Sequence, residues 1–187
     1  MDPQLRFVLD SHASQFTAHA FASGLAAVVA HNPKFSVQDF SGEALFTGAS
    51  LSRAKLKLTL KAASLKLMDE VSEYDYGEIR RVTQEEVLEE QRFPEIHFES
   101  SEITATKISD NLYTAHIAGS LTLHGRSHPQ KIDCQVVVGD DSLRAIGHFN
   151  IRQTDFGIHI ASIARNTLKM KDEVKIAFFI IGRRAVA

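Results

Sequence analysis

Apolar and polar side chains alternate strictly along Arg53-Ala54-Lys55-Leu56-Lys57-Leu58-Thr59-Leu60-Lys61. Leu56, Leu58 and Leu60 fall on one face; Lys55, Lys57, Thr59 and Lys61 fall on the other. Successive residues of a strand point to opposite sides, so the segment reads as sheet with one greasy and one wet side. Tyr113 to Leu123 alternates the same way. Ile132, Cys134, Val136 and Val138 line one face of the next segment, and Val174, Ile176, Phe178 and Ile180 one face of the last. Turn signals punctuate these runs at Ser41-Gly42, Asp110-Asn111, Gly139-Asp140-Asp141 and Lys171-Asp172-Glu173. Strands joined at short intervals by such turns predict an all-β, mainly antiparallel meander, sandwich or barrel. The pattern supports about eight strands, the number at which a closed barrel can just hold one small ligand.

One stretch breaks the alternation. Between Glu78 and Gln91, Ile79, Val82, Val87 and Leu88 are loosely helically spaced and most other residues are charged. Thr83 with Glu86 has the spacing of a capping box. The helix should stop before Phe93-Pro94, because proline disfavours helix at the residue before it. This predicts one short helix near residues 78–91, either an amphipathic lid or plug on a barrel end or a plain surface connector. No repeat, linker or low-complexity segment divides the chain, so residues 1–187 read as one domain.

Charge excludes some classes of function. There are 21 Lys and Arg against 23 Asp and Glu, a net charge of -2, so no basic field for nucleic acid is expected. No uncharged run reaches the roughly 18 residues of a membrane helix, which leaves at most peripheral membrane contact. A flat outer face or open strand edge would suit a homodimer. The single cysteine, Cys134, permits no intrachain disulfide and fits a reducing compartment. Met1-Asp2-Pro3-Gln4-Leu5-Arg6 lacks a basic segment followed by an apolar one, so no signal peptide is read and a cytoplasmic location is expected. A trimmed export signal would leave the same picture and mean the periplasm.

The polar residues assemble no recognisable chemistry. The nine histidines, His12, His19, His31, His97, His116, His124, His128, His148 and His159, are spread along the whole chain. None has the tight spacing of a zinc motif, so no metal and no cofactor is expected. His97 and His116 would come close if their strands pair, but two ligands do not complete a tetrahedral site. There is no Gly-x-Ser-x-Gly elbow and no glycine-rich phosphate loop. The carboxylates of Leu88-Glu89-Glu90-Gln91 read as a solvated helix face. More informative are twelve phenylalanines with no tryptophan, spread over nearly every strand. Such rings either fill the core or line a cavity, since a barrel of about eight strands can be solid or hollow.

Several stretches, in order along the chain, resemble the YceI-like family. Phe7-Val8-Leu9-Asp10 followed by Ser14-x-Phe16 is similar to its opening, and Phe40-Ser41-Gly42 to its early Phe-x-Gly turn. Arg92-Phe93-Pro94-Glu95-Ile96-His97-Phe98-Glu99-Ser100 resembles the central Phe-Pro-x-Ile-x-Phe-x-Ser signature. Gly119-Ser120-Leu121-Thr122-Leu123-His124-Gly125 with Pro129 resembles its Gly-x-Leu-Thr-x-His-Gly hairpin. Arg152-Gln153-Thr154-Asp155-Phe156-Gly157 resembles an Arg-x-x-Asp-Phe-Gly strand and turn, and Lys171-Asp172-Glu173-Val174 the entry to the final strand. Where the family often has a histidine directly before the opening serine, Ala13 stands here and His12 lies one place earlier. A one-residue offset changes the face of a strand, so that histidine's role does not carry over.

The resemblance implies a lipocalin-like barrel that binds, carries or sequesters an isoprenoid or other long apolar lipid, without catalysis. A tunnel for such a ligand needs few polar groups. Phe16, Leu58, Leu60, Phe98, Ile117, Leu121, Phe149, Ile151, Ile176 and Phe178 are expected in its wall. His31, Asn32, His124 and Arg152 are candidates for its mouth or for the lipid head group. The plainer alternatives are a carboxylate pair for Arg152, with Asp155 or another acid, and for His124 a hairpin-turn position hydrogen-bonded to local backbone. Two other functions compete. One is an enzyme using His31 or His124 as acid or base on an apolar substrate. The other is a structural or stress-related interaction module with a solid barrel, meeting a partner or an anionic membrane through Lys55, Lys57 and Lys61.

Overall fold

The computed structural model describes residues 4–23, 32–47, 50–160, 162–163 and 168–185. Its strands are β1 (Gln4–Leu9), β2 (Gln15–Ser23), β3 (Lys34–Val37), β4 (Phe40–Thr47), β5 (Ser50–Lys61) and β6 (Leu65–Leu67), then, after helix α1 (Glu73–Arg81), β7 (Glu95–Lys107), β8 (Leu112–Leu123), β9 (Arg126–Val138), β10 (Ser142–Arg152), β11 (Ser162–Ile163) and β12 (Leu168–Arg184). Hydrogen-bonded neighbours run β1-β4-β5-β7-β8-β9-β10-β12, and β12 pairs with β1 again, which closes the ring. All pairings are antiparallel. The closing register is Phe7 opposite Arg184, Val8 opposite Arg183 and Leu9 opposite Gly182.

Three of the eight staves are interrupted. β1 and β2 lie end to end along one edge of β12 and run in the same direction. β3 leads into β4, and β5 into β6, so that β3 pairs with β2 on one side and β6 on the other. Side chains bridge the breaks. Between β1 and β2, the Asp10 carboxylate accepts from the backbone N–H groups of His12 and Ala13 and from Arg183 Nε. The Ser14 hydroxyl accepts from Ile181 N–H at 2.8 Å, taking the place of the missing backbone partner. At a bulge in β7, Ser100 Oγ accepts from Leu56 N–H, also at 2.8 Å.

Two turn signals behave differently from expectation. Ser41-Gly42 lies inside β4, and Lys171-Asp172-Glu173 lies inside β12. In β12 the extra residues are absorbed by a register shift between Met170 and Val174 against β2, so the strand bends without reversing. Asp110-Asn111 and Gly139-Asp140-Asp141 are turns, as expected.

The one short helix begins earlier than the spacing predicts. Ser72 is its N-cap, and the Ser72 hydroxyl accepts from Asp75 N–H at 3.1 Å. Thr83, expected at a cap, lies within a π-helical turn, Val82–Val87, that continues α1. Gly77 and the polar first turn hide the start, because they show no apolar period. The helix stops before Phe93-Pro94, as expected.

Alternation sorts the barrel into faces. Inside, Phe7 and Phe156 are almost fully inaccessible, and Phe16, Phe40, Phe98, Ala115, Cys134 and Leu143 are buried. Outside, cross-strand ion pairs join Arg6 to Glu43, Lys57 to Glu99 and Lys61 to Glu95. Turns 107–112 and 138–142 mark one end of the barrel. The other end carries α1, the π-helical turn, the β8–β9 hairpin and a 3-10 turn, Gln153–Phe156.

Candidate functional site: an apolar lumen

The side chains do not fill the barrel. A cavity of about 270 Å³ remains inside it. A single buried water needs only about 10–15 Å³ on the same measure. Along the wall β10 runs from Leu143 to Ile151, both in the lining, roughly 26 Å at about 3.3 Å per residue. Strands of small barrels tilt by about 40°, so the lumen is roughly 20 Å long on the axis.

The wall is almost wholly apolar. Among the described residues around it no side chain is charged, and only Thr17, Thr83 and Gln153 carry an oxygen or nitrogen. Thr17 and Gln153 are engaged with backbone carbonyls, those of Ala177 and Lys171. Among the described residues, Cys134 and Met170 are the sulfurs in the lining. Burial above all, then the neighbouring Asp133 carboxylate, pushes the Cys134 thiol up to about 11. Towards the end bearing turns 107–112 and 138–142, Phe7 and Phe46 pack edge to face at 5.5 Å. At the helix end, Ile79, Val82, Thr83, Val87 and Leu88 close over the lumen, with Pro33, Gln153, Ile158 and Met170 also in the lining.

The structure brings together all ten side chains expected in the tunnel wall: Phe16, Leu58, Leu60, Phe98, Ile117, Leu121, Phe149, Ile151, Ile176 and Phe178 all line the cavity. Phe178 lies 6.0 Å from Phe16 and 6.5 Å from Phe149, ring centre to ring centre. Cys134 and Val136, on the apolar face read from the sequence, also line it, as do Ala115 and Ala145, which were missed because small side chains give a weak apolar signal.

The four polar candidates are not gathered into the lumen. His31 lies outside the described residues. Asn32 is exposed, and its Oδ1 accepts from Ala22 N–H at 2.8 Å, tying β2 to the approach of β3. His124 is in the β8–β9 hairpin, where its Nε2 bonds to Glu89 and its ring packs 4.5 Å from Phe93. Arg152 is on the outside, with Nε 3.1 Å from Asp172 Oδ2. Arg152 adopts the plainer alternative, a carboxylate pair, whereas His124 bonds to the side chain of Glu89, distant in sequence, and not to local hairpin backbone. Glu89 and Asp172 escaped the sequence because each partner is distant along the chain and reads as ordinary surface charge.

Among the described residues no acid or base side chain converges on the lumen. Among the described residues no histidine lines it, and no three His, Cys, Asp or Glu side chains approach closely enough to share a metal ion. The strands of His97 and His116 do pair, but His97 stands opposite Thr122 and His116 opposite Thr104. At about 3.3 Å per residue that separates them by roughly 20 Å. His116 instead meets Asp133 at 2.7 Å on the outer face. Among the described residues no helix is long and apolar enough to cross a membrane.

An eight-stranded up-and-down barrel, closed on itself and hollow, with an apolar lumen and no charged side chain in the described wall, defines a lipocalin-like binding barrel. The chain belongs to the YceI-like domain family, which matches residues 7–181. The fold is shared with BcnA of Burkholderia cenocepacia at 19% identity, covering 92% of this chain and 98% of that one with a TM-score of 0.71. It is shared with a polyisoprenoid binding domain from Saccharophagus degradans at 12% identity, 96% and 98% coverage and a TM-score of 0.67. The YceI protein of Campylobacter jejuni is similar at 18% identity, 84% and 88% coverage and a TM-score of 0.63. No curated protein matches the sequence.

Proposed function

We propose that the barrel binds, carries or sequesters a long apolar molecule, an isoprenoid or another lipid, in its lumen and performs no chemistry on it. The observation that carries this is the size of the apolar void. An unfilled apolar cavity costs about 24 cal/mol per Å³, so 270 Å³ left empty would cost on the order of 6 kcal/mol. That is comparable with the whole stability of a domain, about 5–15 kcal/mol. A wall with so few hydrogen-bonding groups admits water poorly and hydrocarbon well, and each buried methylene contributes about 0.8 kcal/mol. The structural relative from Saccharophagus degradans is described as polyisoprenoid binding, which favours the same class of ligand. The polar end of the ligand belongs at the helix end, near Asn32 and Gln153. A cytoplasmic site of action is the companion reading, supported by the lone buried cysteine.

The test is organic extraction of the purified protein followed by mass spectrometry. A stoichiometric hydrophobic compound is expected. Ala115→Phe, which places a ring in the lumen, should abolish its recovery from protein that still folds. Equal recovery from both proteins would mean that the compound binds elsewhere.

Outer-face charge does not favour the membrane-docking alternative. Lys57 and Lys61 are paired with Glu99 and Glu95, so that face carries alternating charge instead of a basic patch.

A further inference from the structure

The segment that closes the helix end is held in place against internal opposition. Val82, Thr83, Val87 and Leu88 cover the lumen, and the chain then turns through Glu89 to Phe93 before entering β7. Glu89 and His124 are the two non-glycine residues with positive φ among the described residues, at 46° and 51°. His124 shares with Gly125 the two-residue turn of the β8–β9 hairpin, whose favoured geometry has positive φ at both positions. Glu89 stands in no such turn, and left-handed backbone there is unfavourable and persists only where surrounding contacts enforce it. Next to Glu89, the Glu90 Oε2 atom is buried without a hydrogen-bond partner. Backbone strain at Glu89 and an unsatisfied carboxylate oxygen at Glu90 are thus concentrated in the closed arrangement of one short loop.

What opposes them, beside the burial of Val82 and Leu88 at the barrel end, is a small set of contacts to the β8–β9 hairpin. His124 Nε2–H donates to Glu89 Oε2, and the imidazole is largely shielded from solvent. The Phe93 ring packs on His124 and over Gly125, where a Cβ would stand 2.5 Å from Phe93 Cε1. Gly125 therefore serves twice, adopting φ 71° in the turn and leaving room for the ring. Further back, α1 contributes no buried residue, and Gln84, buried in the π-helical turn, makes a long 3.4 Å hydrogen bond to Ala63 O.

We propose that residues 82–93 form a displaceable plug over the lumen, and that the Glu89–His124 pair is the latch that keeps it shut. Breaking the latch releases the strained turn and lets Glu90 reach water, so opening is local and leaves the staves paired. The device concerns access to the cavity, whatever molecule the cavity holds.

Cys134, the chain's single cysteine, faces the lumen and reports on access without any ligand. The experiment follows its alkylation by N-ethylmaleimide in the native protein, using intact-mass spectrometry at mildly alkaline pH. His124→Ala and Glu89→Asn should each react about tenfold faster than wild type, since labelling of a transiently opened state follows its population. Asparagine tolerates left-handed backbone but is too short to reach His124, so Glu89→Asn removes the latch without adding strain. Asp10→Asn, which weakens the Asp10–Arg183 contact towards the opposite end, serves as the control and should react at the wild-type rate. The proposal is overturned if the latch variants label no faster than wild type. It is equally overturned if Asp10→Asn accelerates labelling as much as they do, because opening would then be global.

Discussion

A thiol on the inner wall of an apolar lumen is easier to protonate than to ionise, and Cys134 makes that a stability statement. Its folded pKa is raised from an ordinary 9.0 to about 11, so the folded state holds the proton more tightly than the unfolded chain. The resulting stabilisation is complete below about pH 9 and is lost as pH rises through about 11. At about 1.4 kcal/mol per pKa unit, wild type should lose about 3 kcal/mol relative to Cys134→Ala over that window. Urea unfolding at stepped pH measures the difference, and parallel curves for the two proteins would contradict it. A second residue-scale expectation concerns Gly119, where an added Cβ would stand 2.5 Å from both Phe98 Cζ and the Glu99 carbonyl oxygen. The backbone oxygen cannot yield as a side chain can, so Gly119→Ala should destabilise by about 1–3 kcal/mol, read as a lower thermal midpoint. Period-two spacing found the ring at Phe98 but could not show the glycine beneath it, because an absent side chain leaves no pattern.

Among the elements, the start of β12 is held to the 3-10 turn Gln153–Phe156 through one carboxylate. Asp172 accepts from Thr154 N–H at 2.9 Å, Thr154 Oγ1–H at 2.7 Å and Arg152 Nε at 3.1 Å. Partial burial pushes its carboxyl up, but these hydrogen bonds outweigh that and hold it below its ordinary 3.8. A depressed carboxylate stabilises the fold above its unfolded pKa, and the contribution is lost as pH falls through the depressed value. Asp172→Asn should therefore cost about 1–3 kcal/mol near neutrality, with the gap from wild type shrinking in acid. Thermal melts of the two proteins across the acid range check this. This joint also shows where sequence reading stops at the element scale. Strand identity was legible because facing sides must be apolar, yet Lys171-Asp172-Glu173 looks like a turn and is a bulge within a strand. Register decides such cases, and it depends on partners far along the chain. The separation of His97 from His116 and the pairing of His124 with Glu89 were hidden for the same reason.

At the scale of the whole molecule, a lumen that takes up hydrocarbon links stability to loading. A ligand at 100 times its Kd adds about 2.7 kcal/mol to the folded state. For a domain of this size that is roughly 5–10 °C in thermal midpoint, at about 2–4 °C per kcal/mol. Stripping the protein with organic solvent or a lipid-absorbing resin should lower the midpoint by about that much, and adding back the extracted compound should restore it. An unchanged midpoint after verified removal would argue against a ligand in the lumen. The existence of a barrel was legible from alternation and turns, whereas its hollowness was not, since that depends on how small residues such as Ala115 and Ala145 coincide across strands. Closure itself has a consequence in time. β12 is the longest strand, it follows every other stave in the chain, and it alone seals the ring, by pairing with β10 on one edge and with β1 and β2 on the other. During synthesis the first staves therefore wait, edges unpaired, until the last has left the ribosome. An interior does not exist before then, so nothing can be lodged in it until the last stave is in place.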